Sequence, residues 1–396
     1  MIYRPLPLVL LFCLSFVGSR AQQFVIEGKT NGYIPDGAVL YIGRSSGTGA
    51  VYPFASAVVQ NGTFQLEGSA QQATDVVSLY GTEEAIGHRM LRIWLNGDSN
   101  DTIRISADSE VPATWRVESR VKEQAEEDAY RKIIGKDKLV RASRINGRSL
   151  YDKSLPIDSI RILSNRMIQL ELPGYCQVLE QLHAQRELTD VGLVWLFYAS
   201  GYASYITDQA YLAMGKETYT RLTDKQKQTY LANIVKGQFF PVKAPGAGDY
   251  YIDAALTNLA GDSCKLSDFL NKGKYILLDF WDQYCTPCKA SVPGLKELSG
   301  TFSDRLTVIG INVGSRPGWE KGSADFTWTS LSDGQGMAGV AARYGVRSIP
   351  YFVLFAPNGK IEKCWRGYNM SHSVMEKEIG EILIKFTSPG SASGIR

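Results

Sequence analysis

The chain has 396 residues, enough for about two or three domains. Its 43 Lys and Arg nearly balance its 40 Asp and Glu, and the formal net charge is +3, so the composition gives no indication of nucleic-acid binding. Hydrophobic residues make up 44% and charged residues 21%, which is typical of globular proteins and argues against extensive disorder. Six cysteines are too few for a small disulfide-stapled scaffold. The function must therefore be sought in local motifs.

Residues 1–21 have the pattern of a secretory signal peptide. Arg4 supplies the positive charge, residues 6–17 are mainly apolar, and Ser19 and Ala21 place small residues at the predicted cleavage site. The apolar stretch is shorter than a membrane-spanning helix requires. An uncleaved anchor and a lipid-modified Cys13 are the alternatives. We expect cleavage and export to a compartment that permits disulfide bonds.

Residues 22–113 predict a small β-sandwich, because short β-rich runs follow one another with turn signals and no helical period. Asn61-Gly62 separates two such runs and is typical of a hairpin with a type I′ turn. No cluster of His, Asp, Glu or Cys in this part indicates catalysis.

Residues 114–240 predict a helical region. Apolar residues recur at spacings of three and four after Pro156, and Pro173-Gly174 is expected to break that pattern. Cys176 and His183 could share a helical face, but no third ligand accompanies them, so we predict no metal site here.

Residues 241–388 alternate strand and helix, which predicts an α/β domain. Apolar strands are expected at 275–280, 306–313 and 351–355, and helices at 285–302, 337–344 and 375–386. Asn358-Gly359 predicts a turn into a further strand at 361–365. Residues 389–396 are rich in Gly and Ser and predict a flexible tail.

A Cys-x-x-Cys motif, Cys285-Thr286-Pro287-Cys288, directly follows the first apolar strand and opens the next helix. A cysteine in the first turn of a helix faces free N–H groups and the positive end of the helix dipole, which favour the thiolate. Pro287 suits the first turn because its missing N–H would be unpaired there. The motif therefore predicts a redox pair in which Cys285 attacks and Cys288 resolves the mixed disulfide.

Two other interpretations of the motif are weaker. A zinc site needs two more ligands at suitable spacing, and neither the scattered Cys176, Cys264 and Cys364 nor His372 provides them. A purely structural disulfide would close too short a loop to add much stability. We predict neither a metal nor a cofactor, since the chemistry needs only the two thiols.

Further motifs accompany the cysteine pair: Asp279-Phe280-Trp281, Tyr284 before Cys285, Pro293 in the next helix, and Ile349-Pro350 before a strand. With these, residues 241–388 resemble the thioredoxin superfamily, specifically the TlpA-like (redoxin) thiol:disulfide oxidoreductases of bacterial envelopes. The resemblance covers a little over a third of the chain. The whole chain is similar in pattern to multidomain proteins of Gram-negative bacteria in which a β-rich domain of unknown function precedes the redoxin domain.

The resemblance implies roles for the matching positions. Cys285 would attack and Cys288 would resolve. Pro350 would follow a cis peptide bond, and the backbone of Ile349 would pair with an extended substrate segment. An ordinary trans bond is the alternative for Ile349-Pro350.

Asp279 is the one charged residue in its apolar strand, and burial should raise its pKa so that it can exchange protons. The resemblance makes it the proton acceptor for Cys288; an Asp that reaches solvent at the strand end is the alternative. Residues 308–312 offer no lysine at the position where thioredoxin has a partner for this Asp. Trp281 and Tyr284 are expected to shape the substrate surface, although plain packing explains Trp281 equally well.

We therefore expect a secreted, periplasmic or envelope-associated enzyme that exchanges thiols and disulfides with proteins and with a redox partner protein. It would reduce envelope disulfides, and oxidation is the reverse of the same chemistry. A peroxiredoxin-like peroxidase is disfavoured because Asp282 stands where that family has a Thr. A non-catalytic binding or assembly protein is the third alternative. Cys264 and Cys364 could pair or stay free, and the sequence does not indicate the oligomeric state or the role of residues 22–240.

Overall fold

The computed structural model describes residues 23–45, 51–81, 89–97, 101–151, 155–206, 208–241, 243–270, 272–283, 285–368 and 374–386. The predicted signal peptide, 1–21, and the predicted tail, 389–396, lie outside these residues. Within the described ranges, no helix combines the length and the apolar character needed to cross a membrane.

The first part of the chain forms two four-stranded sheets that enclose one core. One has the order β4-β1-β7-β8 and the other β3-β2-β5-β6. Their buried side chains, such as Ile26 and Ile103 from the first sheet and Leu40 and Leu79 from the second, belong to a single hydrophobic cluster. The strands are β1 (Gln23–Lys29), β2 (Val39–Ser45), β3 (Val51–Val58), β4 (Thr63–Ser69), β5 (Thr74–Gly81), β6 (Leu91–Asn96), β7 (Asp101–Ser106) and β8 (Arg116–Glu118).

The Asn61-Gly62 turn differs from its prediction in one respect. Both residues have positive φ, 52° and 68°, as a type I′ turn requires. However, β3 pairs with β2 and β4 pairs with β1, so beyond the bridge between Gln60 and Thr63 the chain passes from one sheet to the other.

The predicted end of the β region at residue 113 is too early. Strand β8 pairs with β7, and Trp115 is fully buried in the core that the two sheets share. The β structure therefore extends to residue 118.

The middle region is helical. Its helices are α1 (Lys122–Ile134), α2 (Lys136–Tyr151), α3 (Ile157–Ala184), α4 (Asp190–Ser200), α5 (Gln209–Thr220), α6 (Asp224–Lys227) and α7 (Tyr230–Phe239). The expected break at Pro173-Gly174 is wrong, because α3 continues through both residues. A Cβ at position 174 would lie 3.0 Å from the Cα of Ile134, so the glycine lets α1 approach α3 closely, and this packing offsets the hydrogen bond that Pro173 cannot make.

A buried ion pair joins the β sheets to the helices. Arg92 on β6 donates to Glu127 on α1 at 2.7 Å, and Trp195 on α4 donates to the same carboxylate at 3.0 Å. Burial lowers the pKa of Arg92, but the charge and hydrogen bond of Glu127, together with Tyr198 and Tyr175, outweigh this effect and the pKa is raised. Trp94, also on β6, belongs to the hydrophobic cluster of the helices.

The last part of the chain is an α/β unit around a five-stranded sheet of order β13-β12-β11-β14-β15. β11 is parallel to β12 and antiparallel to β14. Helices α8 and α11 cover one face, and α10 with the chain around Leu256 covers the other. The elements are β9 (Ala255–Thr257), β10 (Ser263–Lys265), β11 (Tyr275–Trp281), α8 (Thr286–Thr301), β12 (Leu306–Asn312), α9 (Arg316–Gly322), β13 (Thr329–Leu331), α10 (Val340–Arg343), β14 (Tyr351–Phe355), β15 (Ile361–Arg366) and α11 (Val374–Lys385).

Helix α7 packs into two cores at once. Ala232, Val235 and Phe239 belong to the cluster of the helical region, whereas Tyr230 and Ile234 pack against the core of the α/β unit. The predicted domain boundary between residues 240 and 241 follows the end of this helix, but the packing is continuous across it.

Candidate active site

The Cys-x-x-Cys motif lies where the central strand of the α/β unit meets its first helix. All seven residues of β11 are buried, and Cys285 is the N-cap of α8, with Pro287 in the first turn. Cys285 and Cys288 form a disulfide, with their Cα atoms 5.2 Å apart. The two cysteines therefore lie where the sequence predicted them, after a buried strand and at the start of a helix.

The two sulfurs of the motif differ in their surroundings. Cys288 is 3% exposed, whereas Cys285 is only partly buried. The backbone N–H of Cys288 donates to the sulfur of Cys285 at 3.1 Å. This contact and the positive end of the 16-residue helix would stabilise a thiolate on Cys285 once the disulfide is reduced. Of the two, Cys285 is the one that another protein can reach.

The peptide bond between Ile349 and Pro350 is cis, as the resemblance implied. Ile349 packs against the buried cluster of Trp281, Cys288 and Trp319, to which Cys285 also contributes. The segment before β14 and the cysteine pair therefore lie together.

Asp279 is the third predicted site residue. Its side chain is 1% exposed, so the alternative of an Asp that reaches solvent is wrong. Burial alone raises its pKa to about 8, and no described residue forms a hydrogen bond with its Oδ1 atom. The group can therefore change its protonation state near neutral pH.

The expectation that Trp281 forms part of the substrate surface is wrong for the described structure. The residue is 3% exposed, because its indole lies under Phe326 (ring centroids 4.7 Å apart) and packs beside Cys288. Packing, the alternative explanation, fits this position. Tyr284 lies outside the described residues.

The sequence did not indicate the aromatic wall around the motif. Trp319 on α9 is buried beside Cys288 and donates from Nε1 to Ser330 at 2.8 Å. Phe326 and Trp328 stack with ring centroids 4.5 Å apart. Phe326 and Trp328 are two positions apart, and this spacing could have indicated that both rings point in the same direction. Because they lie far from the cysteine motif in sequence, it could not indicate that they pack near the motif.

The other three cysteines in the described part of the chain are not paired with each other. Cys176, Cys264 and Cys364 are free and partly buried, and burial raises the pKa of each thiol. Cys264 and Cys364 therefore form no bridge. Within the described ranges, no group of three or more His, Cys, Asp or Glu side chains is arranged to hold a metal ion.

Comparison with known proteins places this geometry in a family. Residues 273–361 match a family model described as thioredoxin-like. A solved thiol-disulfide oxidoreductase from Bacteroides fragilis is 23% identical, with 35% of this chain and 99% of that one covered and a TM-score of 0.30. The thioredoxin-like protein YneN of Bacillus subtilis is 31% identical over 133 residues, which cover 32% of this chain and 75% of that protein.

Another relative carries an activity in its name. The thiol-disulfide oxidoreductase ResA of Geobacillus thermodenitrificans is 30% identical over 142 residues, which cover 35% of this chain and 79% of that protein. The chain therefore belongs to the thioredoxin-like family and is an enzyme of the thiol:disulfide oxidoreductase class. This confirms the predicted family and enzyme class, and the peroxidase and the non-catalytic binding protein are not favoured.

Proposed function

We propose that the protein is a secreted oxidoreductase that reduces disulfides of envelope proteins through a mixed disulfide. The observation that carries the proposal is the asymmetric pair at the start of α8, with an accessible Cys285 and a buried Cys288. The Cys285 thiolate attacks a substrate disulfide and releases one substrate thiolate. The Cys288 thiolate then attacks Cys285, which releases the second substrate sulfur and leaves the enzyme oxidised.

Two electrons pass to the substrate in this sequence, and a redox partner protein must return them. The reverse sequence oxidises a substrate dithiol, and the reduction potential decides between the directions. The pattern of residues 1–21 supports export to the periplasm.

The segment at Ile349 supports a binding mode for the substrate. It lies beside Cys285 and leads into β14 through the cis bond. The backbone of Ile349 would pair with an extended stretch of substrate next to its disulfide. Because such a contact uses backbone hydrogen bonds and not substrate side chains, it suits an enzyme that accepts several proteins.

Asp279 would accept the proton of Cys288. When Cys288 loses its proton to the carboxylate, the resulting thiolate can attack and the proton stays in the buried site until it escapes. The ionised fraction of Asp279 grows as the pH rises through about 8, so the resolving step should accelerate over that range.

A trapping experiment tests the order of attack. In Cys288→Ser, the mixed disulfide on Cys285 cannot be resolved, and covalent adducts with envelope proteins should accumulate and disappear on treatment with dithiothreitol. The measurement is non-reducing electrophoresis with mass spectrometry. The matched control is Cys285→Ser, which should trap nothing. Adducts in the control and none in Cys288→Ser would reverse the proposed roles.

We expect Asp279→Asn to slow thiol exchange at least about tenfold at pH 7 to 8. The rate should also lose its rise through about pH 8, because the amide cannot accept the proton. Stopped-flow fluorescence of exchange from pH 6 to 9 measures both effects.

Stability supplies the control for Asp279→Asn. When folding raises the pKa of a carboxyl, the free energy of unfolding decreases as the pH rises above the pKa of that group in the unfolded chain. The neutral Asn should therefore leave the domain at least as stable as wild type at pH 8, and slow exchange cannot be attributed to unfolding. Identical pH profiles for variant and wild type would remove the proton-transfer role.

A further inference from the structure

Four positions around Asp279 form a block on two neighbouring strands. In the parallel pairing of β11 with β12, Asp279 is opposite Gly310 and Trp281 is opposite Asn312. Side chains alternate between the faces of a strand, so all four positions lie on one face of the sheet. It is the face next to α8, because Trp281 packs with Cys288.

Buried polar atoms of this block lack partners within the described residues. Three belong to the block itself, namely Oδ1 of Asp279, Nε1 of Trp281 and Nδ2 of Asn312, and the fourth is Nε1 of Trp328. Folded proteins satisfy nearly all buried polar atoms, with ordered water where no protein group reaches them. One acceptor and three donors in the same part of the core indicate a site for water.

Gly310 is the point on which two of the donors converge. A Cβ at this position would lie 3.0 Å from Nε1 of Trp281 and 3.4 Å from Nε1 of Trp328. The two nitrogens are therefore at most 6.4 Å apart, so one oxygen atom could accept hydrogen bonds from both. The missing side chain at 310 lets both indoles approach the strand partner of Asp279 closely.

We propose that ordered water above Gly310 links the carboxylate of Asp279 to the indole N–H groups of Trp281 and Trp328. These donors stabilise the ionised form of Asp279 in a strand pair that has no lysine to do so. Trp328 is thus a positioning residue, which acts through water on the group that receives the proton. This inference rests on the proton-acceptor role proposed above.

Charged groups do not compete with this arrangement. Burial is the only cause of the raised pKa of Asp279. Among the described residues, the titratable groups packed on this face include Cys288 on α8, which is bonded to Cys285, Tyr275 and Tyr368, and Glu376 and Glu378 on α11. Glu376 lies against Gly294 of α8 and accepts a hydrogen bond from Tyr368 at 2.7 Å.

The test removes one N–H group and measures the pKa of Asp279 directly. Trp328→Phe keeps a ring to stack on Phe326 but has no donor. We expect the pKa of Asp279 to rise by about one pH unit, because a donor to the charged form lowers the pKa and its loss reverses that effect. The readout is the carboxyl ¹³C shift of Asp279 in full-length protein, assigned with Asp279→Asn.

A second variant and a control sharpen the test. Gly310→Ala adds a methyl group 3.0 Å from Nε1 of Trp281 and 3.4 Å from Nε1 of Trp328, so it obstructs the approach of water to both donors and should raise the same pKa. The control is Trp365→Phe, which removes an indole donor that is bonded to Glu378 of α11; it lies on the same face but on the edge strand β15, separated from β11 by β14. It should leave the titration of Asp279 unchanged.

The outcomes separate this inference from the proposed function. If Asp279→Asn slows exchange but Trp328→Phe and Gly310→Ala titrate as wild type, the water link is refuted and the proton-acceptor role stands. If Asp279→Asn exchanges at the wild-type rate over the whole pH range, the proton-acceptor role falls and the water link has no catalytic purpose. Equal shifts in Trp365→Phe and Trp328→Phe would show a general structural effect and overturn the assignment of Trp328.

Discussion

Replacing Cys285 with Ser should lower the rate of insulin-disulfide reduction at least about a thousandfold, to that of the uncatalysed exchange. A serine hydroxyl is not a nucleophile toward disulfides at neutral pH, and the buried Cys288 cannot be reached by the substrate. The measurement is insulin turbidity with dithiothreitol as the electron donor. Because Cys285 caps α8 through its side chain and Ser is a good N-cap residue, the variant should fold.

The matched control is Cys364→Ser, which removes a free, partly buried thiol from the same domain and should keep wild-type activity. If Cys285→Ser retained more than a few per cent of the rate, the attacking sulfur would have to be another cysteine. If it lost the activity but still bound envelope proteins, a separate binding role would belong to the rest of the chain.

Glu127→Gln should destabilise the N-terminal half of the molecule by about 3 kcal/mol or more, because it leaves the Arg92 guanidinium buried without a counter-charge. The carboxylate is 1% exposed and accepts from Arg92 and Trp195, so solvent cannot replace it. Urea unfolding followed by far-ultraviolet circular dichroism measures the loss in the free energy of unfolding. The matched control is Glu27→Gln, which breaks an exposed ion pair with Arg104 and should cost less than about 1 kcal/mol.

A double variant shows whether charge is the cause. Adding Arg92→Met to Glu127→Gln removes the uncompensated charge and should recover much of the stability, since apolar replacements of buried pairs are often tolerated. A double variant that is less stable than Glu127→Gln would assign the effect to lost packing of Arg92 on the rings of Trp195 and Tyr198.

Local patterns predicted most of the elements in the α/β unit. The continuous apolar runs of β11 and β14 are buried along their whole length, and the cysteine motif lies where strand and helix signals meet. The cis bond at Pro350 was predictable only from the resemblance, because an isolated Ile-Pro pair is usually trans.

What the sequence could not show depends on contacts between distant residues. The Asn61-Gly62 signal predicted a turn between β3 and β4, but not that the two strands belong to different sheets. Pro173 alone predicts a helix break, and the sequence does not show that α1 packs closely against Gly174 in α3. The register that sets Asp279 opposite Gly310 fixes which polar atoms meet, and no local signal specifies the pairing of strands separated by a whole helix.

Because α7 packs against both the helical core and the core of the α/β unit, the redox unit is not an independent folding module. A polypeptide that began at residue 241 would lose Tyr230 and Ile234 from the core they help to cover and would present that apolar area to water. If the redox unit were transferred to another protein, α7 would have to be transferred with it. Otherwise the apolar side chains that α7 covers on the strands and loops of the redox unit would have to be replaced with polar ones. In this chain the helical region is therefore part of the structure that supports the redox unit, and the two cannot be separated without exposing apolar surface.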